Sequence, residues 1–163
     1  MCDHHDDCEA DDDESFEELY YRVIRPAIEK YGWYIQYVIG DRAETGYAYT
    51  VGLTEHGCPE LIATGVSPDD AAALLNIGGE VAHRRELLHG QRVTVAGRRC
   101  EVVELPHPEA HLLFAGDVYG PDLRAVQLVH ADASGVWPWS RGYRGGAGGQ
   151  PVLGPRSVRR LAG

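Results

Sequence analysis

The sequence lacks long apolar runs and dense cysteines. No stretch approaches the roughly 18 apolar residues that span a membrane, and the acidic N-terminus lacks the charged-then-apolar layout of a signal peptide. The chain has four cysteines in 163 residues, too scattered for the disulfide framework of a small secreted domain. These absences predict a soluble, cytoplasmic protein with reduced thiols and no membrane attachment.

Several signatures of catalysis and nucleotide binding are also missing. The sequence contains no Gly-x-Gly-x-x-Gly, Walker, Gly-x-Ser-x-Gly or Cys-x-x-Cys motif. His107 and His111 stand four residues apart, but the acid of a metalloprotease motif does not accompany them. The sequence by itself therefore names no reaction.

The formal net charge of −10 belongs to one end of the chain. Residues 1–18 contain ten acids and no Lys or Arg, so the remaining chain carries 15 acids and 15 bases. The stretch 141–163 has five Arg and no acid. No basic patch with interleaved aromatics is visible, and we therefore expect no nucleic-acid partner.

The length and the 44% of hydrophobic residues suit one domain with a real core. We predict a flexible acidic tail over 1–14, a single α+β domain over 15–140 and a Gly/Arg-rich, partly mobile segment over 141–163.

The order of elements predicts an α+β fold with a mainly antiparallel sheet and two main helices packed on one of its faces. Ser15 with Glu18, and Ser67 with Pro68, are helix starts. The first helix should kink or break near Arg25, because Pro26 lacks an N–H, and should stop at Gly32. The second helix should reach about His89. A short helix is expected over 109–114. Strands are predicted as a meander (33–39, 47–53, 60–64), a hairpin (91–95, 98–105) and a late strand (124–130).

The turn after the second predicted strand carries the first candidate site. His56, Cys58 and Glu60 offer a base, a thiol and a carboxylate for acid-base or covalent catalysis. The alternative is structural, with His56 as a turn residue, Cys58 as a small buried filler and Tyr49 in the core. We prefer the structural interpretation.

The second candidate site lies late in the chain. Asp132, Trp137 and Trp139 surround a turn and a proline, and paired indoles either cover a core or line a pocket for a flat ligand. If there is a pocket, we expect it between this segment and the strand that carries Tyr49.

The N-terminal tail holds the third candidate site. Cys2, His4, His5 and Cys8 are all metal-ligand types, and Zn²⁺ is the expected ion if they bind one. Their spacing matches no standard zinc motif, so we favour a tail with adventitious metal affinity.

A resemblance covers most of the chain. The shared residues are Tyr31–Trp33, Gln36, Ala48–Leu53, Gly57, Pro59–Leu61, Gly65, Leu74–Asn76, Tyr119–Gly120, Gln127–Leu128, Asp132, Gly135, Pro138–Trp139 and Gln150–Pro151. In these residues the sequence resembles a bacterial, largely actinobacterial family catalogued as domain of unknown function 4262. Members often begin with a Cys-rich tip beside an Asp-His pair, of which Met1–His4 looks like a contracted form. The resemblance implies a fold family and no activity.

Two functions remain open at this stage. The first is a ligand- or partner-binding accessory module, whose small-molecule or protein partner the sequence does not name. The second is a metal- or thiol-dependent enzyme that uses His56 and Cys58, or the N-terminal Cys/His cluster.

Overall fold

A computed structural model describes residues 14–146 and 148–156. It confirms an α+β domain with a six-stranded, mostly antiparallel sheet. The strands, in chain order, are β1 (Tyr34–Val38), β2 (Tyr47–Val51), β3 (Glu60–Thr64), β4 (Arg92–Val95), β5 (Arg98–Glu104) and β6 (Ala125–His130).

The sheet joins the meander to the hairpin through the last strand. Its order is β1-β2-β3-β6-β5-β4. Both antiparallel pairs of the meander and the β4-β5 hairpin are confirmed. Strand β6 lies between β3 and β5 and runs parallel to β3. This single parallel pairing brings the start of β6 beside the start of β3.

The first helical segment changes its pitch before the proline. Helix α1 (Phe16–Leu19) starts with a capping box between Ser15 and Glu18, and a π-helical turn over Tyr20–Ile24 follows. Helix α2 (Arg25–Tyr31) then carries Pro26 in its first turn and ends at Gly32, whose φ is 96°. The chain stays helical through Arg25, where the sequence predicts a kink or a break, and the predicted stop at Gly32 is confirmed.

The long helix α3 (Pro68–Arg84) begins at the predicted cap, where Ser67 accepts the N–H of Asp70. It ends about a turn before the predicted position near His89. A Cβ atom on Gly78 would lie 2.8 Å from the side chain of Leu128, and one on Gly79 would lie 2.8 Å from the Trp33 ring. The two glycines therefore let the helix approach the sheet closely.

Helices cover both faces of the sheet, which corrects the expectation of two helices on one face. Leu74 and Leu75 of α3 pack with a cluster that includes Leu61. Ile28 of α2 packs with a second cluster that includes Ile62. Successive strand residues point to opposite faces, so α2 and α3 lie on opposite sides of β3. Hydrophobic periodicity marks the buried side of each helix but not the sheet face that receives it.

The short helix lies later in the chain than expected. A 3₁₀ turn spans Pro108–Ala110, and helix α4 spans Leu113–Tyr119. Helix α4 contributes Ala115 to the same cluster as Ile28. Within the described residues, no helix combines the length and the apolar character needed to cross a bilayer.

Candidate functional site

An open cleft of about 590 Å³ lies where the end of α3 meets the starts of β3 and β6. Its walls come from the turn after the 3₁₀ helix Leu53–His56, from the segment 82–89, and from Arg124 just before β6. The N–H of Glu60 donates to the carbonyl of Arg124 at 2.9 Å, so the β3-β6 pairing holds Arg124 beside that turn. The ionisable and thiol side chains in the wall are His56, Cys58, His83, Arg84, Arg85, Glu86, His89, Glu104 and Arg124.

His56 is fixed at the end of its short 3₁₀ helix. Gly57 closes this helix in the left-handed region with a φ of 75°. The Nε2 atom of His56 lies 3.1 Å from the carbonyl oxygen of Gly32. Because a carbonyl only accepts, Nε2 carries the hydrogen, and Nδ1 of the neutral ring keeps its lone pair.

His83 projects from the last turn of α3 and packs against His56. Its Nδ1 donates to the carbonyl oxygen of Gly79 at 2.8 Å, which leaves the Nε2 lone pair of the neutral ring free of this bond. The centre of its ring lies 4.7 Å from that of His56 and 5.5 Å from that of Trp33. Trp33 in turn donates its indole N–H to Asn76 of α3 at 3.1 Å. These contacts therefore fix the two imidazole rings against each other.

His89 presents an N–H group to the cleft instead of a lone pair. Its Nδ1 accepts the backbone N–H of Glu104 at 2.9 Å. The neutral ring then carries its hydrogen on Nε2. Among the described residues, the cleft wall thus holds two neutral imidazoles whose lone pair has no donor, and one whose N–H has no acceptor.

The Cys58 thiol contacts the end of α3, and its catalytic role stays a prediction. Its Sγ lies 3.5 Å from the carbonyl oxygen of Ala82 and 3.7 Å from that of His56. Burial first, and then the nearby Glu60 carboxylate, raise the pKa of the Cys58 thiol, while Arg124 opposes the shift. The thiol form dominates at neutral pH, whereas the nucleophile in thiol catalysis is the thiolate.

Among the described residues, Glu60 forms no hydrogen bond with the side chains of His56 and Cys58, the other two predicted catalytic residues. Its side chain is fully buried and accepts the N–H groups of Leu53 and Thr54 at 2.8 and 3.1 Å. It also accepts the Thr54 hydroxyl at 3.1 Å. Burial outweighs these bonds and raises its pKa to about 7. Glu60 therefore caps the 3₁₀ helix that carries His56, and it does not line the cleft.

Three arginines give the cleft an excess of positive charge. Arg84, Arg85 and Arg124 face two acids, Glu86 and Glu104, in its wall. Among the described residues, none of these three guanidinium groups forms an ion pair. Sequence reasoning missed the arginines, His83 and His89, because only the β3-β6 pairing and the end of α3 bring them to His56.

Tyr49 of the second predicted site is a core residue. Its side chain is 1% exposed, and its hydroxyl accepts the N–H of Phe114 in α4 at 3.0 Å. Burial raises the pKa of this phenol to about 12. Tyr49 lies on β2, and β3, β6 and β5 separate it from the β4 edge where Trp137 lies.

The Trp137 and Trp139 rings stack on each other, and an arginine side chain lies over each ring. The ring centres lie 5.3 Å apart at an angle of 3°. Arg92 lies over Trp137 at 4.7 Å and Arg156 over Trp139 at 3.5 Å. Both arginines also pair with Glu101. The stack joins the chain after β6 to the β4-β5 hairpin.

Asp132 organises the loop before this stack. Its carboxylate accepts the N–H groups of Ser134, Val136 and Arg144 at 2.9, 2.8 and 2.7 Å. These bonds, led by the one from Arg144, hold the pKa of Asp132 below its usual value. The structure brings Asp132 near the tryptophans along the chain but not near Tyr49, and a ligand-binding role for these four residues stays a prediction.

The metal-binding prediction for Cys2, His4, His5 and Cys8 lies outside the described residues. Within residues 14–146 and 148–156, no three His, Cys, Asp or Glu side chains come together as a metal-binding group. The prediction for Zn²⁺ at the N-terminus therefore stays untested.

The fold and the cleft together define a small α+β domain with an open histidine- and arginine-lined cleft at the β3-β6 junction. A family model described as Domain of unknown function (DUF4262) matches residues 27–144, which is more than half of the chain, and the chain belongs to this family. No curated protein and no solved structure matches the chain.

Proposed function

We propose that this protein is a ligand-binding module that holds a small anionic molecule in the histidine- and arginine-lined cleft. The observation that carries the proposal is the convergence of three arginines and three histidines on one cleft. Its volume, about 590 Å³, falls in the range of small-molecule sites.

The cleft suits an acidic group because its three arginines outnumber its two acids. Arg84, Arg85 and Arg124 form no ion pair with a described carboxylate, so a ligand carboxylate or phosphate can accept their N–H groups. The wall also presents the N–H of His89. The imidazole lone pairs of His56 and His83 can accept a ligand hydroxyl or amine.

The state of the thiol favours binding over catalysis. Cys58 donates to the end of α3 and its pKa is raised, and Glu60 is bonded within the 3₁₀ helix cap. The second candidate function is an enzyme that uses the cleft for acid-base chemistry, and the contact between His56 and His83 favours it. An accessory role in a bacterial cytoplasm stays a prediction from the sequence.

The test is a titration of isotope-labelled protein with inorganic phosphate and with succinate, followed by amide NMR shifts. We expect shifts at residues 56–58 and 82–89 with one or both anions, and none with glycerol. Arg124→Gln should weaken binding about tenfold, because a charge-assisted hydrogen bond contributes roughly 1.5–3 kcal/mol.

Arg42→Gln is the matched control, since Arg42 is exposed and does not line the cleft. Equal anion affinity in wild type and Arg124→Gln would contradict the proposal. The enzyme alternative predicts instead that His83→Gln abolishes an activity while leaving anion affinity within twofold of wild type.

A further inference from the structure

Strand β1 forms an edge of the sheet and carries no charge. It pairs with β2 on one side, and no described strand pairs with its other side. Its sequence, YIQYV, contains no ionisable group other than the two tyrosines, and every residue of it is half-buried. Ile39, which follows it, is 85% exposed. An uncharged edge strand without proline is a template for pairing with another strand.

The opposite edge of the sheet differs in chemistry. Arg92 of β4 pairs with Glu101 of β5 at 3.4 Å and lies over the Trp137 ring at 4.7 Å. Charged side chains and the stacked indoles therefore lie along this edge. Charge and cover of this kind discourage strand addition, so the two edges are not equivalent.

Apolar surface continues from β1 onto its flanks. Tyr31, at the end of α2, is 66% exposed and borders a groove of about 530 Å³ together with Trp33 and Ile35. A partner that pairs with β1 would also cover part of this groove.

We propose that β1 pairs antiparallel with β1 of a second copy, about a two-fold axis at Gln36, the middle residue of the strand. Antiparallel pairing of a strand with its own copy matches backbone donors to acceptors on both chains by symmetry. The absence of Lys, Arg, Asp and Glu means that no like charges meet at the axis. The two six-stranded sheets then form one continuous sheet.

The side chain of Gln36 is compatible with this pairing. Its amide donates to the carbonyl oxygen of Tyr37 at 3.1 Å, and it accepts the Tyr34 hydroxyl at 3.2 Å. A carbonyl oxygen has two lone pairs, so the bond to Tyr37 leaves one for a partner strand. A strand of about five residues is roughly 17 Å long and buries less than a standard interface, so the dimer should dissociate on the order of 10 µM.

The experiment measures the mass of the full chain by sedimentation velocity, from low micromolar to the highest soluble concentration. Wild type should shift from monomer to dimer as concentration rises. Gln36→Lys and Gln36→Glu should each weaken the dimer about tenfold, because like charges then face each other across the axis. Thr94→Lys, at an exposed position on β4, is the control and should dimerise like wild type.

The decisive arm mixes the two Gln36 variants in equal amounts. The mixture should dimerise more strongly than either variant alone, because opposite charges then meet at the axis, and circular dichroism checks that each variant is folded. A monomeric wild type at every concentration, equal weakening by Thr94→Lys, or a mixture no stronger than its components would each overturn the proposal.

Discussion

The carboxylate of Glu60 accepts the backbone N–H of Leu53 at 2.8 Å across the turn that carries His56 and Cys58. The bond links the first residue of β3 to the first residue of the 3₁₀ helix that delivers His56 to the cleft. The buried Glu60 carboxylate therefore fixes the conformation of the turn, and His56 and Cys58 of the same turn line the cleft.

Glu60→Gln should destabilise the fold. The amide group that replaces one carboxylate oxygen cannot accept the N–H of Leu53 or of Thr54, whichever it faces, and a buried donor left without an acceptor costs about 1–3 kcal/mol. Urea unfolding at pH 5 measures the loss, because below its folded pKa of about 7 Glu60 keeps most of its contribution. Glu80→Gln, an exposed change on α3, should alter the free energy of unfolding by less than about 0.5 kcal/mol, and an equal loss in both variants would contradict the prediction.

The same residue should make stability depend on pH near neutrality. The folded pKa of Glu60 is about 7 against an ordinary value of 4.5, so the folded state holds the proton more tightly than the unfolded chain does. Its contribution is fully present below about pH 4.5 and is lost as pH rises through 7, with an upper bound of roughly 3 kcal/mol. Unfolding at several pH values between these limits should show this slope in wild type and not in Glu60→Gln. An unchanged slope in the variant would refute the assignment to Glu60.

His130 should make stability depend on pH with the opposite sign, so that stability falls as the solution becomes more acidic. Its ring is fully buried, Nε2 lies 3.4 Å from a guanidinium nitrogen of Arg144, and Nδ1 has no partner within the described residues. Burial first, and then the charges of Arg98 and Arg144, lower its pKa from 6.5 to about 4. The folded state therefore binds this proton less tightly than the unfolded chain.

The contribution of His130 is present above about pH 6.5 and lost as pH falls through 4. His130→Gln should reduce the loss of stability over this range, measured by thermal unfolding at several pH values. His107→Gln, an exposed change, should leave the loss as in wild type. An identical loss of stability at acid pH in wild type and His130→Gln would show that another group causes this loss.

Two helical glycines should respond to alanine with opposite signs. A Cβ on Gly79 would lie 2.8 Å from the rigid Trp33 ring, whereas a Cβ on Gly116 in α4 meets nothing closer than 3.7 Å. Gly79→Ala should cost about 1–3 kcal/mol through overpacking, and Gly116→Ala should stabilise by roughly 0.5–1 kcal/mol through helix propensity. Urea unfolding of both variants measures these changes in the free energy of unfolding. A stabilising effect of Gly79→Ala would contradict the close approach of α3 to Trp33.

Short-range sequence signals predict most of the boundaries of the helices and strands. The capping box at Ser15, the stop at Gly32 and the cap at Ser67 depend only on residues a few positions apart, which is why the sequence predicts them. The start of α4 was missed because the chain around Leu112 has no side-chain cap to mark it.

The candidate site depended on longer-range pairing. The sequence points to His56 and Cys58 as neighbours in one turn, and the structure does place both in one wall of the cleft. His83 and Arg124 lie far from that turn along the chain, and no local pattern distinguishes them from surface residues. Glu60 and Cys58 are two positions apart, yet their side chains have separate surroundings because β3 begins at Glu60.

The sequence by itself determined that the chain is an α+β domain, where its strands and long helices begin, and which turn holds unusual side chains, because these features depend on composition and short-range periodicity. Only the tertiary structure decided that β6 lies parallel to β3, that helices cover both faces of the sheet, and that Arg124 and His83 meet His56 in one cleft. The physical reason is that strand order and face selection depend on how distant apolar surfaces pack together.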